Sequence, residues 1–252
     1  MISTLNVLTI VIIIIATLGT AFLSSIFGML GGLILIGILV TLMPVSQAMV
    51  LHGLIQLISN GYRAWLNKKD INWAIVYTII VGNIIALVIL VSVAFAPNQI
   101  TVLLALGFLP YIAWMLPKNV SLNVNKKPVG ILAGMVVVGS NLLSGTGGPL
   151  LDIFFQRGNM TRHQVVATKA VAQSLGHISK IIFFGFFVTS SLNVWPGAYL
   201  ILLAMVASLV GTSLGKQILD RIDDQTFFLW TQSILLTIGA FFIAYAFYLI
   251  YF

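Results

Sequence analysis

The chain has 252 residues, only 12 basic and 5 acidic side chains, 60% hydrophobic residues and a mean hydropathy of +1.12. Soluble domains are about a quarter charged, so an ordinary soluble domain is excluded. The pI of 9.8 reflects a surplus of +7 on an apolar background, which also excludes a disordered or nucleic-acid-binding chain. A spanning helix takes roughly 20 apolar residues, so about ten segments is the ceiling for this length. The predicted class is an all-α polytopic membrane protein with about 8–10 membrane segments. Cysteine is absent, which removes disulfide and thiol chemistry. Met1 to Asn6 contain no basic residue, so the apolar run behind them is expected to be a first span and not a cleaved signal.

Charges and turn residues divide the chain. Residues 1–62 carry no Lys, Arg, Asp or Glu. Ser24-Ser25 with Gly28 and Gly31-Gly32 make one break, and Pro44-Val45-Ser46-Gln47 another, giving segments near 5–23, 29–43 and 46–66. Lys68, Lys69 and Asp70 form the first charged loop. Pro97-Asn98 is read as a turn between segments near 71–95 and 98–116. A polar linker with Lys118, Lys126 and Lys127 follows. The next segment runs from about Pro128 to Leu143 and breaks at Ser144-Gly145-Thr146-Gly147-Gly148-Pro149. A short piece reaches Gln156, and further segments lie near 163–188, 195–218 and 226–250.

If every segment switches sides, ten of the twelve basic residues fall on one side: Arg63, Lys68, Lys69, Lys118, Lys126, Lys127, Arg157, Arg162, Lys216 and Arg221. The positive-inside rule then places both termini outside and these loops in the cytoplasm. The piece 149–157 is too short to cross alone, so broken or re-entrant helices are expected at the glycine breaks.

The expected organisation is an N-terminal membrane repeat (1–117), a cytoplasmic linker (118–127) and a C-terminal membrane repeat (128–252). A shift of 117 residues aligns Gly28 with Gly145, Gly31 with Gly148, Leu33 with Leu150, Ile36 with Ile153, Met43 with Met160, Gln47 with Gln164 and Gln56 with Gln173. It also pairs His52 with Lys169, Asn60 with His177, and Arg63 with Lys180. Five segments per repeat would invert the second copy. Inverted repeats with glycine-interrupted helices recur in secondary transporters, where two similar halves exchange inward- and outward-open arrangements.

The candidate chemistry lies at the breaks and on two stripes. A helix starting after Gly148 would point free N–H groups toward Gly145, Thr146 and Gly147, a polarity suited to an anion. Gly28, Gly31 and Gly32 form the matching first break. The competing reading of both is close helix packing through small residues. His52, Gln56, Ser59, Asn60 and Arg63 share one helical face, as do Lys169, Gln173, His177 and Lys180. Two such stripes are expected to face each other, since intramembrane ionisable residues turn toward a bundle interior or a wet cavity. The competing reading for His52 and Asn60 is interhelical hydrogen bonding, and Arg63 reads as a snorkelling anchor. Lys169 lies about 11 Å inside its segment and either pairs with Asp152 or binds a mobile anion. Asp152 is either a carboxylate satisfying a helix dipole or a coupling group, and His177 is the further coupling candidate. The five Trp residues lie at or near segment ends, as interfacial aromatics do.

These residues resemble the TauE/SafE group of sulfite-exporter-like membrane proteins. The resemblance rests on Gly28-Met29-Leu30-Gly31-Gly32 with Pro44 downstream, on Ser59-Asn60-Gly61-Tyr62-Arg63 followed by Ile71-Asn72-Trp73, and on Ser144-Gly145-Thr146-Gly147-Gly148-Pro149 followed by Thr168-Lys169-Ala170. It covers nearly the whole chain. It implies a bacterial plasma-membrane permease for small sulfur-containing or organic anions such as sulfite, sulfonates or thiosulfate. Met29 and Leu30 stand where family members often run more glycines together.

The expected function is therefore a secondary transporter of small anions by alternating access, with protons as the candidate coupling ion. The alternatives are an anion channel and a structural or assembly subunit of a membrane complex. No His-Glu-x-x-His and no Cys occurs, and no catalytic residue, metal site or cofactor is expected. Expected partners are a small anionic substrate and the lipid bilayer, with a second copy of the chain as a further candidate and no nucleic acid.

Overall fold

The computed structural model describes residues 6–27, 30–93, 96–116, 122–155, 160–188, 195–219 and 224–252. Among them the regular structure is entirely helical: α1 (Val7–Phe27), α2 (Leu30–Leu42), α3 (Val45–Leu66), α4 (Trp73–Val93), α5 (Gln99–Met115), α6 (Lys127–Ser144), α7 (Gly148–Phe155), α8 (Arg162–Ile182), α9 (Ala198–Leu219) and α10 (Asp224–Tyr251). A 3₁₀ turn (Lys68–Asp70) follows α3, and a π-turn (Phe183–Phe187) extends α8. Gly28, Met29, Lys118, Arg157 and Arg221 lie outside the described residues, as do the side chains of Arg162 and Lys216.

The sequence sets the helix ends by ordinary means. Asn98 caps α5, its side-chain oxygen accepting from the Thr101 N–H at 2.8 Å. Thr161 and Gln164 form a reciprocal capping box at the start of α8. Gly145 ends α6 with φ at 81°, a left-handed conformation that glycine adopts without a Cβ penalty, and its N–H donates to the Asn141 carbonyl at 2.9 Å.

Among the described residues, six helices are long and apolar enough to cross a membrane: α1, α4, α6, α8 with its π-turn, α9 and α10. Helix α2 has 13 residues and α7 has 8. At the helical rise these reach only about 20 and 12 Å, short of a hydrocarbon core of about 30 Å. Both are half-helices: α7 starts at Gly148 after the second break, whereas α1 runs on through Ser24-Ser25 and α2 takes Gly31 and Gly32 into its first turn. Helix α3 has 22 residues but carries the polar stripe. The ceiling of ten thus resolves into six apolar spans, two half-helices, the polar α3 and the 17-residue α5.

Helix α2 is apolar all round and largely buried, the expected state of a helix inside a bundle. Leu33, Ile36 and Leu39 pack with Met49, Leu51, Ile55, Phe183 and Phe184 in the main core. Around that core α3 packs on α8, α1 on α9, α4 on α6 and α5 on α10. Small residues permit these approaches. A Cβ at Gly215 of α9 would lie 2.5 Å from the Phe22 carbonyl of α1, and one at Gly239 of α10 would lie 2.7 Å from the Gly107 carbonyl of α5. Gly82 of α4 faces the Ile131 carbonyl of α6, and Gly134 of α6 faces that of Ile79. The outer faces of α4 and α10 expose Ile84, Val88, Phe241 and Tyr248. Trp65, Trp73 and Trp114 are exposed at the ends of α3, α4 and α5, the positions of an interfacial belt.

Candidate functional site

The two polar stripes meet between α3 and α8. Their helical spacing turns His52, Gln56, Asn60 and Arg63 of α3 toward Gln173 and His177 of α8. These six side chains, with Ser24, Gly32 and Thr146, line a narrow polar cavity. The rings of His52 and His177 stand edge to face with centroids 5.6 Å apart. His52, Gln56, Asn60 and His177 are all buried.

Several polar groups here have no protein partner. The side-chain oxygen of Asn60, Nε of Arg63 and Nδ1 of His177 are buried without a hydrogen bond. Buried polar atoms in native proteins are normally satisfied, so three such atoms on one cavity mark a place for a ligand or water. Asp152, the intramembrane carboxylate, is held elsewhere in an ion pair with Lys169, both about a quarter exposed.

The breaks contribute in two ways. Gly31 packs against the Thr20 carbonyl, and a Cβ at Gly147 would lie 2.9 Å from the Val137 carbonyl, so both serve close packing. Gly148 is the first residue of α7 and is buried. Gly32 and Thr146 instead face the cavity. The Gly145 carbonyl accepts from Lys180 Nζ at 2.8 Å, and Gly145 itself packs toward Ile36 and Met49. Thus Gly32, His52, Gln56, Asn60, Thr146, Gln173 and His177 are brought together, while Gly31, Gly147, Gly148, Lys169 and Asp152 lie off the cavity lining. Gly28 is not among the described residues.

Two lining residues were not read from the sequence as site residues. Arg63 looked like an anchor because it sits near the end of its segment. The signal that it belongs here was already present: it continues the His52–Gln56–Asn60 face by one more turn. Ser24 carried no such signal. A further pair of motif stretches touches away from the cavity: the Asn72 N–H donates to the Thr168 hydroxyl at 3.0 Å, tying the start of α4 to α8.

A family model described as Sulfite exporter TauE/SafE matches residues 12–242. No curated protein and no solved structure matches the chain.

Proposed function

The chain belongs to the sulfite exporter TauE/SafE family, and from that premise we propose that it carries small sulfur-containing anions, such as sulfite, thiosulfate or a sulfonate, through the α3/α8 cavity. It is a multi-pass membrane protein of a transporter family. The observation that carries the substrate reading is the composition of the cavity. Arg63 and His177 offer nitrogen donors and Gln56, Asn60 and Gln173 offer amides around the His52 ring, with no carboxylate among the described residues of the lining. An oxyanion accepts several hydrogen bonds and supplies the missing charge.

Alternating access between inverted halves is the mechanism we infer. Its support is the pairing of helices. The contact of α1 with α9 has its counterpart, under exchange of the halves, in that of α6 with α4, while α3–α8 and α5–α10 map onto themselves. The one-sided basic loops favour termini outside and, for a bacterial cell, the inner membrane.

The test is flux in proteoliposomes with sulfite, thiosulfate and ethanesulfonate, set against acetate and succinate. Sulfur oxyanions should move, and anion on the far side should accelerate exchange, as a carrier requires. Flux without such acceleration favours a channel. No flux of any of them favours an assembly subunit.

A further inference from the structure

Behind the cavity lies a group that the transport reading has not used. Lys180 is fully buried. Its Nζ lies 2.6 Å from His52 Nδ1 and 2.8 Å from the Gly145 carbonyl. On the other side of the imidazole, Nε2 lies 2.8 Å from the Gly32 carbonyl. A carbonyl only accepts, so Nε2 carries a hydrogen and donates it. The result is a continuous run from the Gly145 carbonyl through Lys180 and His52 to the Gly32 carbonyl. Gly145 caps α6 and Gly32 lies in the first turn of α2, so the run ties the two helix breaks together through the α3/α8 pair.

The line between Nζ and Nδ1 has room for one hydrogen. One nitrogen donates and the other presents a lone pair. In the singly charged form from which the coupling step starts, the proton sits on either nitrogen; a neutral lysine amine would also bridge, with no charge. A second proton would set N–H against N–H across 2.6 Å and break the bridge. The broken pair then carries two positive charges next to the cavity, and a bound anion would compensate the second.

We propose that the Lys180–His52 pair is the proton-coupling element of the transporter; the proposal rests on the anion-transport reading above. An anion enters with one proton drawn from the aqueous phase. A new N–H bond forms on the pair, the Nζ to Nδ1 hydrogen bond is lost, and the ammonium is released toward the anion. Discharge of anion and proton on the other side restores the bridge. Loading thus uncouples the two helix breaks, which frees the halves to move.

The charged and titratable surroundings of His52 are defined. From α8 it meets Lys180 and His177, and on its own helix Arg63 lies toward the end of the same stripe. Helix α2 and the π-turn carry no titratable residue. On α9 the titratable residues are Tyr199, which is exposed, and Lys216, whose side chain is outside the described residues. Among these, His177 is the rival proton acceptor.

The experiment is proton uptake on binding, using the full-length protein in detergent, a lightly buffered solution and a pH-indicator dye. The probe is thiosulfate, which stays fully ionised near neutral pH, so any proton taken up goes to the protein. Calorimetry gives the amount bound. Wild type should take up about one proton per bound thiosulfate, histidine being the side chain that titrates in this range. His177→Gln loses a lining donor and should bind more weakly, but should still take up about one proton per thiosulfate bound. His52→Gln, which alters the lining and should lower affinity, should bind thiosulfate with no proton taken up, because the amide oxygen can accept from Lys180 but cannot take a proton. Binding by wild type with no uptake overturns the proposal. So does uptake that persists in His52→Gln or vanishes in His177→Gln. If His52→Gln does not fold, wild type and His177→Gln still decide. Failure of wild type to bind thiosulfate, sulfite or a sulfonate would remove the anion-site reading itself, and the coupling proposal with it.

Discussion

Lys169 and Lys180 stand about three turns apart on the same helix and meet opposite surroundings. Lys169 is partly exposed and paired with Asp152. Lys180 is fully buried and rests on a histidine nitrogen and a backbone carbonyl, both neutral acceptors. Charge inside a membrane protein is therefore not enough to mark a site. The partner decides. A cation already matched by a carboxylate gains little from an anion, whereas an unmatched buried cation gains both charge and hydrogen bonds.

The sharpest way to break this contrast is to remove each lysine in turn. Lys180→Met should weaken thiosulfate binding by about 1.5–3 kcal/mol, roughly 10- to 150-fold, the value of a charged hydrogen bond. Lys169→Met should leave affinity within about threefold, since a partly exposed pair is worth only about 0–1 kcal/mol. Calorimetry on folded, monodisperse protein checks both, and equal losses would erase the distinction between the two lysines.

Asp152 gives a second handle. Asp152→Asn should lower thermal stability by about 1 kcal/mol, and adding Lys169→Met should restore part of that loss, as a double-mutant cycle of a real pair does. Additive losses would mean that the pair contributes nothing. The smallest effect is expected next door. Thr168→Ala removes the acceptor for the Asn72 N–H and should cost about 1 kcal/mol of stability with anion affinity unchanged, measured by thermal unfolding and calorimetry.

Much of this architecture was legible in the chain because a membrane leaves few choices. Loop charges, Pro97-Asn98 and the glycine runs divided the sequence into ten segments, and the ten helices follow those divisions within a few residues. The stripes were legible because helical spacing alone aligns His52, Gln56 and Asn60. Depth was not. Arg63 sits near a segment end, where a long basic side chain usually reaches for water, and Lys180 lies inside its segment with no partner that spacing can name. Tertiary packing turns Arg63 into the cavity and closes Lys180 off behind His52. Nor could spacing divide the glycines. Gly31 and Gly147 pack against carbonyls, while neighbouring Gly32 faces the cavity, a difference of one residue on a helix and so of about 100° in direction.

The central claim is that the anion binds between α3 and α8, and the absence of native Cys allows it to be tested in place. A single Cys at Gln173, on the cavity wall, would be alkylated with iodoacetamide in protein shown by calorimetry to bind ethanesulfonate. Saturating ethanesulfonate should slow the reaction in proportion to occupancy. An unchanged rate in protein that binds the anion would contradict the account and place the site elsewhere.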